Sequence, residues 1–244
     1  MRAWHFCATR AGRPVLRDGS PALGVGETET YDGALGLRTS GLHACPRAID
    51  ALTYAPGLWV RRVECDDVLA GVERIVCRRR TVLADADAML VVADWMRWCA
   101  LRVVDIWDCP EVVREWLKTG DPKLRAWARA EARAARDAWV KAARDARPAM
   151  GAAKTAERNT AMVAVEAAEA AEAAVEAAEA AWAVAATNAA WAKASRPWLA
   201  ALAASMARAA MAAEDEADAA YWAAMAAANA ELEGQLKLLL RITP

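Results

Sequence analysis

Apolar and polar residues alternate in two different ways along this chain, and the change falls near Gly120. Before it, short runs of strand-type residues stand between turn signals. "RAWHF" opens the chain, "GLWVRRVEC" covers 57–65 and "RIVCRRRTVL" covers 74–83, with "RDGS" and "YDG" as punctuation. "CPRAIDALTYA" predicts a short helix opened by Pro46 and ended before "PG". Residues 85–104, "DADAMLVVADWMRWCALRVV", carry large apolar side chains at helical spacing behind an aspartate cap. Asp108, Pro110 and Glu111 stand where the residues of a capping box belong, ahead of "PEVVREWLK".

After Gly120 the period is helical throughout. Asp121 and Pro122 predict a helix start. At 100° per residue, Arg125, Arg129, Arg133, Arg136, Arg144 and Arg147 fall on one edge, with Leu124, Trp127, Ala135, Trp139 and Ala142 opposite. A second long helix is expected over about 155–194, where Glu169 and Glu176, Glu172 and Glu179, and Val175 and Trp182 each repeat at seven residues. Its glutamates form one narrow stripe and the rest of its perimeter is small or apolar, as suits a helix with neighbours on several sides. Pro197 breaks the pattern, and a third helix follows from about 198 to 233, ended by Gly234 and trailed by the apolar "QLKLLLRITP". The organisation expected is therefore an α+β head, residues 1–120, followed by an all-α, alanine-rich antiparallel helical bundle, residues 121–244.

Charge refines this picture. Thirty-one Lys and Arg against 32 Asp and Glu leave no global excess to hold nucleic acid or an anionic membrane. Locally the signs separate, with ten basic and four acidic residues in 123–158 against three and eleven in 159–236. That asymmetry favours pairing between helices. The longest uncharged stretch of the alanine-rich half, Ala180 to Ala192, is short of the ~20 residues that a membrane span needs. The opening residues lack the apolar core of a signal peptide, and six cysteines at irregular spacing without a C-x-x-C pair read as free thiols in a reducing compartment. A cytoplasmic protein is expected.

The order and spacing of "MRAWHF", "GLHACPRAIDALTYAPG", "CRRRTVL" and "WCALRVVDIWDCPEVVREWLKTGD" resemble an uncharacterised domain family of phage and bacterial proteins, over about the first 125 residues. The resemblance implies a phage or prophage origin and an alanine-rich helical tail. It implies no catalytic residue and no substrate.

Both histidines sit in an H-x-C pattern, His5 with Cys7 and His43 with Cys45. On a strand, residues two apart face the same way, so the two pairs could offer four zinc ligands, yet neither has known zinc-site spacing. Structural histidines are the preferred reading, and no metal or cofactor is expected. An enzyme alternative places a small site at His5, His43 and Glu64, comparing "TSGLHA" and the following strand with an ADP-ribosyltransferase. The arginine edge and "CRRR" could meet phosphates, but Arg78 and Arg80 point opposite to Arg79 on a strand. Nucleic acid is accordingly set behind the other readings. Twelve tryptophans in an alanine background suit packing between helices. The function expected is thus a non-enzymatic interaction or assembly protein. It would self-associate through Val175, Ala178, Trp182 and Trp191, and its head would bind a protein partner.

Overall fold

In a computed structural model of the chain, residues 1–37, 39–102, 104–106, 108–145 and 214–241 are described. They fall into two compact units, residues 1–92 with 228–241 and residues 93–145 with 214–227.

The first unit is built on a long hairpin, β5 (Trp59–Ala70) and β6 (Ile75–Asp87), closed by a turn in which the Gly71 N–H donates to the Arg74 carbonyl at 2.9 Å. β1 (Arg2–Arg10) pairs antiparallel with the outer edge of β5, from Arg2 opposite Glu64 to Cys7 opposite Trp59. β2 (Arg13–Val15) folds back on β1, and β3 (Thr28–Thr30) and β4 (Leu42–Ala44) each pair with a different part of β6. Cys45, one residue beyond β4, exchanges backbone hydrogen bonds of 2.7 and 2.9 Å with Trp4 of β1. The edge of β6 is thereby tied back to β1, and the six-stranded antiparallel sheet curls into a half-barrel.

Directly paired residues share a face. Ala3, His5 and Cys7 therefore stand on the same side as their partners Val63, Arg61 and Trp59. A bulge in the β5–β6 ladder after Arg62 changes the register, so that Arg61 faces Asp85 while Val63 faces Val82 and Cys65 faces Arg80. Strict alternation would have sent Asp85 to the opposite side from Arg80 and Val82. The apolar part of this face is a buried cluster of Ala3, Ala44, Val63, Cys65, Ile75 and Cys77. On the opposite face Trp4 and Phe6 are buried, and helix α1 (Ala48–Thr53) packs along β1. Gly41 introduces β4 at φ +109°, where a Cβ would lie 2.3 Å from the Val76 side chain, so no other residue fits there.

α2 (Met89–Leu101) opens with the Met89 N–H on Asp87 Oδ1 at 2.9 Å. Asp85 belongs instead to the strand, so the helix expected from residue 85 begins four residues later. A 3₁₀ turn (Val104–Ile106) leads to α3 (Glu111–Thr119) and α4 (Arg125–Asp145). α3 starts at Pro110 without a side-chain cap, contrary to the expected capping box, and ends in the left-handed backbone of Gly120 at φ 65°. It presents buried Val113, Trp116 and Leu117, and α4 packs on it with buried Ala128 and Ala132. Trp127, expected on the packed side of α4, is 61% exposed. The final helix, α5 (Glu214–Leu239), continues through Gly234 rather than ending there. Burial of Leu232 and Leu236 on either side of that glycine offsets its helix cost of about 1 kcal/mol.

These observations overturn the expected fold class. The described residues form a curled antiparallel half-barrel with a few helices, and not a head followed by an all-α bundle. Alanine periodicity reports helix propensity, whereas the class is decided by the long β5–β6 hairpin, whose bulge and inward arginines hide its alternation.

Candidate functional site

A cavity of about 570 Å³ opens in the first unit. β1 contributes Trp4 to Phe6, the segment through β4 contributes Gly41 to Cys45, α1 and the residues after it contribute Ala51, Tyr54 and Pro56, and the loop after β2 contributes Leu16 to Asp18. Arg74 and Arg80 complete the wall. Among the described residues the polar lining is predominantly basic, with Arg17, Arg74 and Arg80 and the two imidazoles against the single carboxylate of Asp18.

The fold holds each polar group by an identifiable device. Arg80, almost fully buried on β6, directs Nε at Glu29 Oε2 over 3.1 Å, contacts the same carboxylate through Nη2, and donates from Nη1 to the His43 carbonyl at 2.5 Å. One arginine therefore ties β3, β4 and β6 together. Arg61, which has no exposed surface, reaches Glu29 at 3.7 Å and Asp85 at 3.9 Å, and its nitrogens make no hydrogen bond in this structure. Arg74 stacks on the Tyr54 ring at 4.0 Å, and the Tyr54 hydroxyl donates to Glu73 at 2.8 Å. The Nδ1 of His43 is buried with no hydrogen-bond partner.

Burial first, and the positive charges of Arg80 and Arg61 second, hold His5 well below its ordinary value. Burial, with Arg74 and Arg80, lowers His43 in the same sense. Burial raises the thiol of Cys7 and, helped by Asp50, pushes Cys45 up to about 12. The Cys7 Sγ to His5 Nδ1 contact of 3.5 Å thus joins a protonated thiol and a neutral imidazole. A thiol so strongly protonated is a poor nucleophile at neutral pH, so neither histidine has an activated cysteine beside it.

His5 and His43, the two histidines singled out in the sequence, meet at this one cavity. Glu64 does not join them. It is exposed on β5 opposite Arg2, so the three residues of the enzyme alternative are not brought together. Of the arginine edge, Arg125 and Arg129 are half-buried and Arg133 is exposed on α4. Arg136 and Arg144 lie in the same helix, and Arg147 lies outside the described residues. Val175, Ala178, Trp182 and Trp191 also lie outside them. Among the described residues no group of three or more His, Cys, Asp or Glu is placed to hold a metal ion, and no helix is long and apolar enough to cross a membrane. Of the other site residues, sequence reasoning met Arg80 only within "CRRR" and Asp85 only as a helix cap, and it missed Glu29, Arg61 and Arg74. Comparison with protein-family models, with curated proteins and with solved structures gives no match.

The two depressed histidines set a pH dependence. Between their folded values and about 6.5 the unfolded chain binds protons that the folded chain does not, so stability rises with pH in that window. It is fully present above about 6.5 and is lost on acidification, each histidine contributing a slope of at most about 1.4 kcal/mol per pH unit. Urea denaturation at pH 7.5 and 5.5 checks this. His5→Phe/His43→Phe should flatten the difference, and an unchanged slope would assign the acid sensitivity elsewhere.

Proposed function

We propose that the chain is a non-enzymatic interaction protein whose half-barrel binds a small anion, or an anionic group carried by a partner, in this cavity. The observation that carries the reading is the convergence of Arg17, Arg74, Arg80, His5 and His43 on one cavity, with Asp18 as the only carboxylate of its lining among the described residues. Arg80 is the anchored element, already fixed by Glu29, while Arg74 is partly exposed and stacks on the Tyr54 ring. A rigid and an adjustable guanidinium suit a carboxylate or phosphate oxygen. The protonated thiols support binding over covalent chemistry.

Self-association through Val175, Ala178, Trp182 and Trp191 belongs to the same proposal and rests on the seven-residue repeat of Val175 and Trp182 in an alanine-rich helical pattern; sedimentation of the full chain tests it. The six free cysteines support a cytoplasmic setting.

Calorimetric titration with inorganic phosphate and, separately, with acetate tests the cavity. Arg74→Ala should weaken binding of the preferred anion about 10- to 100-fold, the worth of one charge-assisted hydrogen bond. Affinity should also rise as pH falls toward the histidine range, because an imidazolium adds positive charge. Absence of binding by both anions, or binding indifferent to Arg74→Ala, would sink the reading. A peptide carrying the preferred anionic group, compared with the free anion, distinguishes a partner's group from a free ligand.

A further inference from the structure

α1 forms one part of the cavity wall, and it is six residues long. Ala51 lies within it, and Tyr54 and Pro56 follow directly from its end. Its own N-cap, Arg47, makes no side-chain capping hydrogen bond to the helix. Arg47 instead pairs with Asp50, through Nε at 2.6 Å and Nη2 at 2.8 Å. The first amide groups of a helix need acceptors from outside it, and a one-and-a-half-turn helix has few internal bonds to hold it without them. Here the acceptors come from far along the chain. The Ile49 N–H donates to Asn229 Oδ1 at 3.1 Å and the Ala48 N–H to Glu233 Oε1 at 3.3 Å.

Asn229 and Glu233 are one turn apart on α5, and the Asn229 Nδ2 donates to Glu233 Oε1 at 3.1 Å, so the two acceptors hold each other in place. Lys237 stands a further turn on, with Nζ 3.5 Å from Glu233 Oε2. Ala228, Leu232 and Leu236, four residues apart, are buried beside this polar pair. A carboxylate at the start of α1 also meets the positive end of its dipole.

We propose that Asn229 and Glu233 are positioning residues for the cavity, serving as the N-terminal cap that α1 lacks and so tying ligand binding to the docking of the C-terminal helix. The proposal rests on the cavity being a binding site. Its effect on the ligand is indirect: neither side chain touches the cavity, and both act through α1.

The test uses the full chain with three variants, Asn229→Ala, Asn229→Ala/Glu233→Ala and Glu233→Gln, and two readouts. Amide hydrogen exchange at residues 48 and 49 reports the cap, with the β5–β6 amides as an internal reference for intact fold. Titration with inorganic phosphate reports the cavity. The double variant should lose protection at 48 and 49 while the hairpin stays protected, and its phosphate Kd should rise about 5-fold or more, the effect of losing a cap. Glu233→Gln retains an acceptor oxygen and should leave both readouts close to those of the unsubstituted chain. Should the double variant unfold, Asn229→Ala alone removes a single acceptor and must show the same pattern in smaller measure. Unchanged protection at 48 and 49, or lost protection with an unchanged Kd, overturns the proposal. If the unsubstituted protein binds no phosphate, the binding reading and its link to the helix fall together, while the exchange data still decide whether α5 caps α1.

Discussion

Glu29→Ala is expected to destabilise the protein by about 3–5 kcal/mol, the usual result of leaving buried charge without its partner. Two arginines converge on this carboxylate. Arg80 contacts it through Nε and Nη2, and Arg61 lies 3.7 Å away with no exposed surface. Removing Glu29 leaves Asp85, 3.9 Å from Arg61, as the remaining acid paired with either guanidinium among the described residues. The cost falls on more than one element, because Arg80 also holds the His43 carbonyl and so the approach of β4 to β6. Glu29→Gln keeps an acceptor but loses the charge, and should cost less. Pairing Glu29→Ala with Arg61→Met should recover part of the loss, since the second substitution removes a stranded cation. Urea denaturation of the four proteins measures these terms. A Glu29→Ala effect below about 1 kcal/mol would show that the cluster is hydrated and behaves like a surface pair.

That ionic cluster marks where the sequence stops being legible. β1, β5 and β6 were visible as strand-type runs, and the opposite directions of Arg79 and Arg80 followed from alternation alone, one exposed and the other buried. His5 and His43 drew notice through their spacing to cysteine, although the feature that unites them is a bridge between Trp4 and Cys45, some forty residues apart. Arg61 gave no such signal. In "WVRRVEC" the two arginines are adjacent, and which of them turns inward depends on the partner strands; Arg62 lies over the Trp4 ring at 4.5 Å while Arg61 faces Asp85. Asp85 reads as a helix cap until the bulge brings it to the inner face. Glu29 stands in a three-residue strand, too short for any period to show, and is identified only by its pairing with Arg80. In the alanine-rich half the reverse held. Its helical pattern was easy to see, but pattern alone did not say which face is covered, and α4 buries Ala128 and Ala132 while exposing Trp127.

Leu232→Ala is expected to cost about 2–5 kcal/mol, the range for truncating a fully buried leucine, and Leu238→Ala less than about 0.5 kcal/mol. The two residues share one helix and differ in what they meet. Leu232 has no exposed surface, whereas Leu238 is 82% exposed. With Ala228 and Leu236, Leu232 forms the buried stripe by which the end of α5 joins the compact unit of residues 1–92. Its loss therefore weakens the unit that holds the cavity, although more than 130 residues separate it in sequence from the last strand. A fragment of residues 1–120 lacks Leu232, Leu236 and the cap on α1 together, and should be less stable than the full chain by at least the cost of Leu232→Ala. Chemical denaturation followed at the hairpin amides measures all three cases against the full chain. Equal effects of Leu232→Ala and Leu238→Ala, or a 1–120 fragment as stable as the full chain, would mean that α5 does not dock through this stripe, and the cap it places on α1 would fall with it.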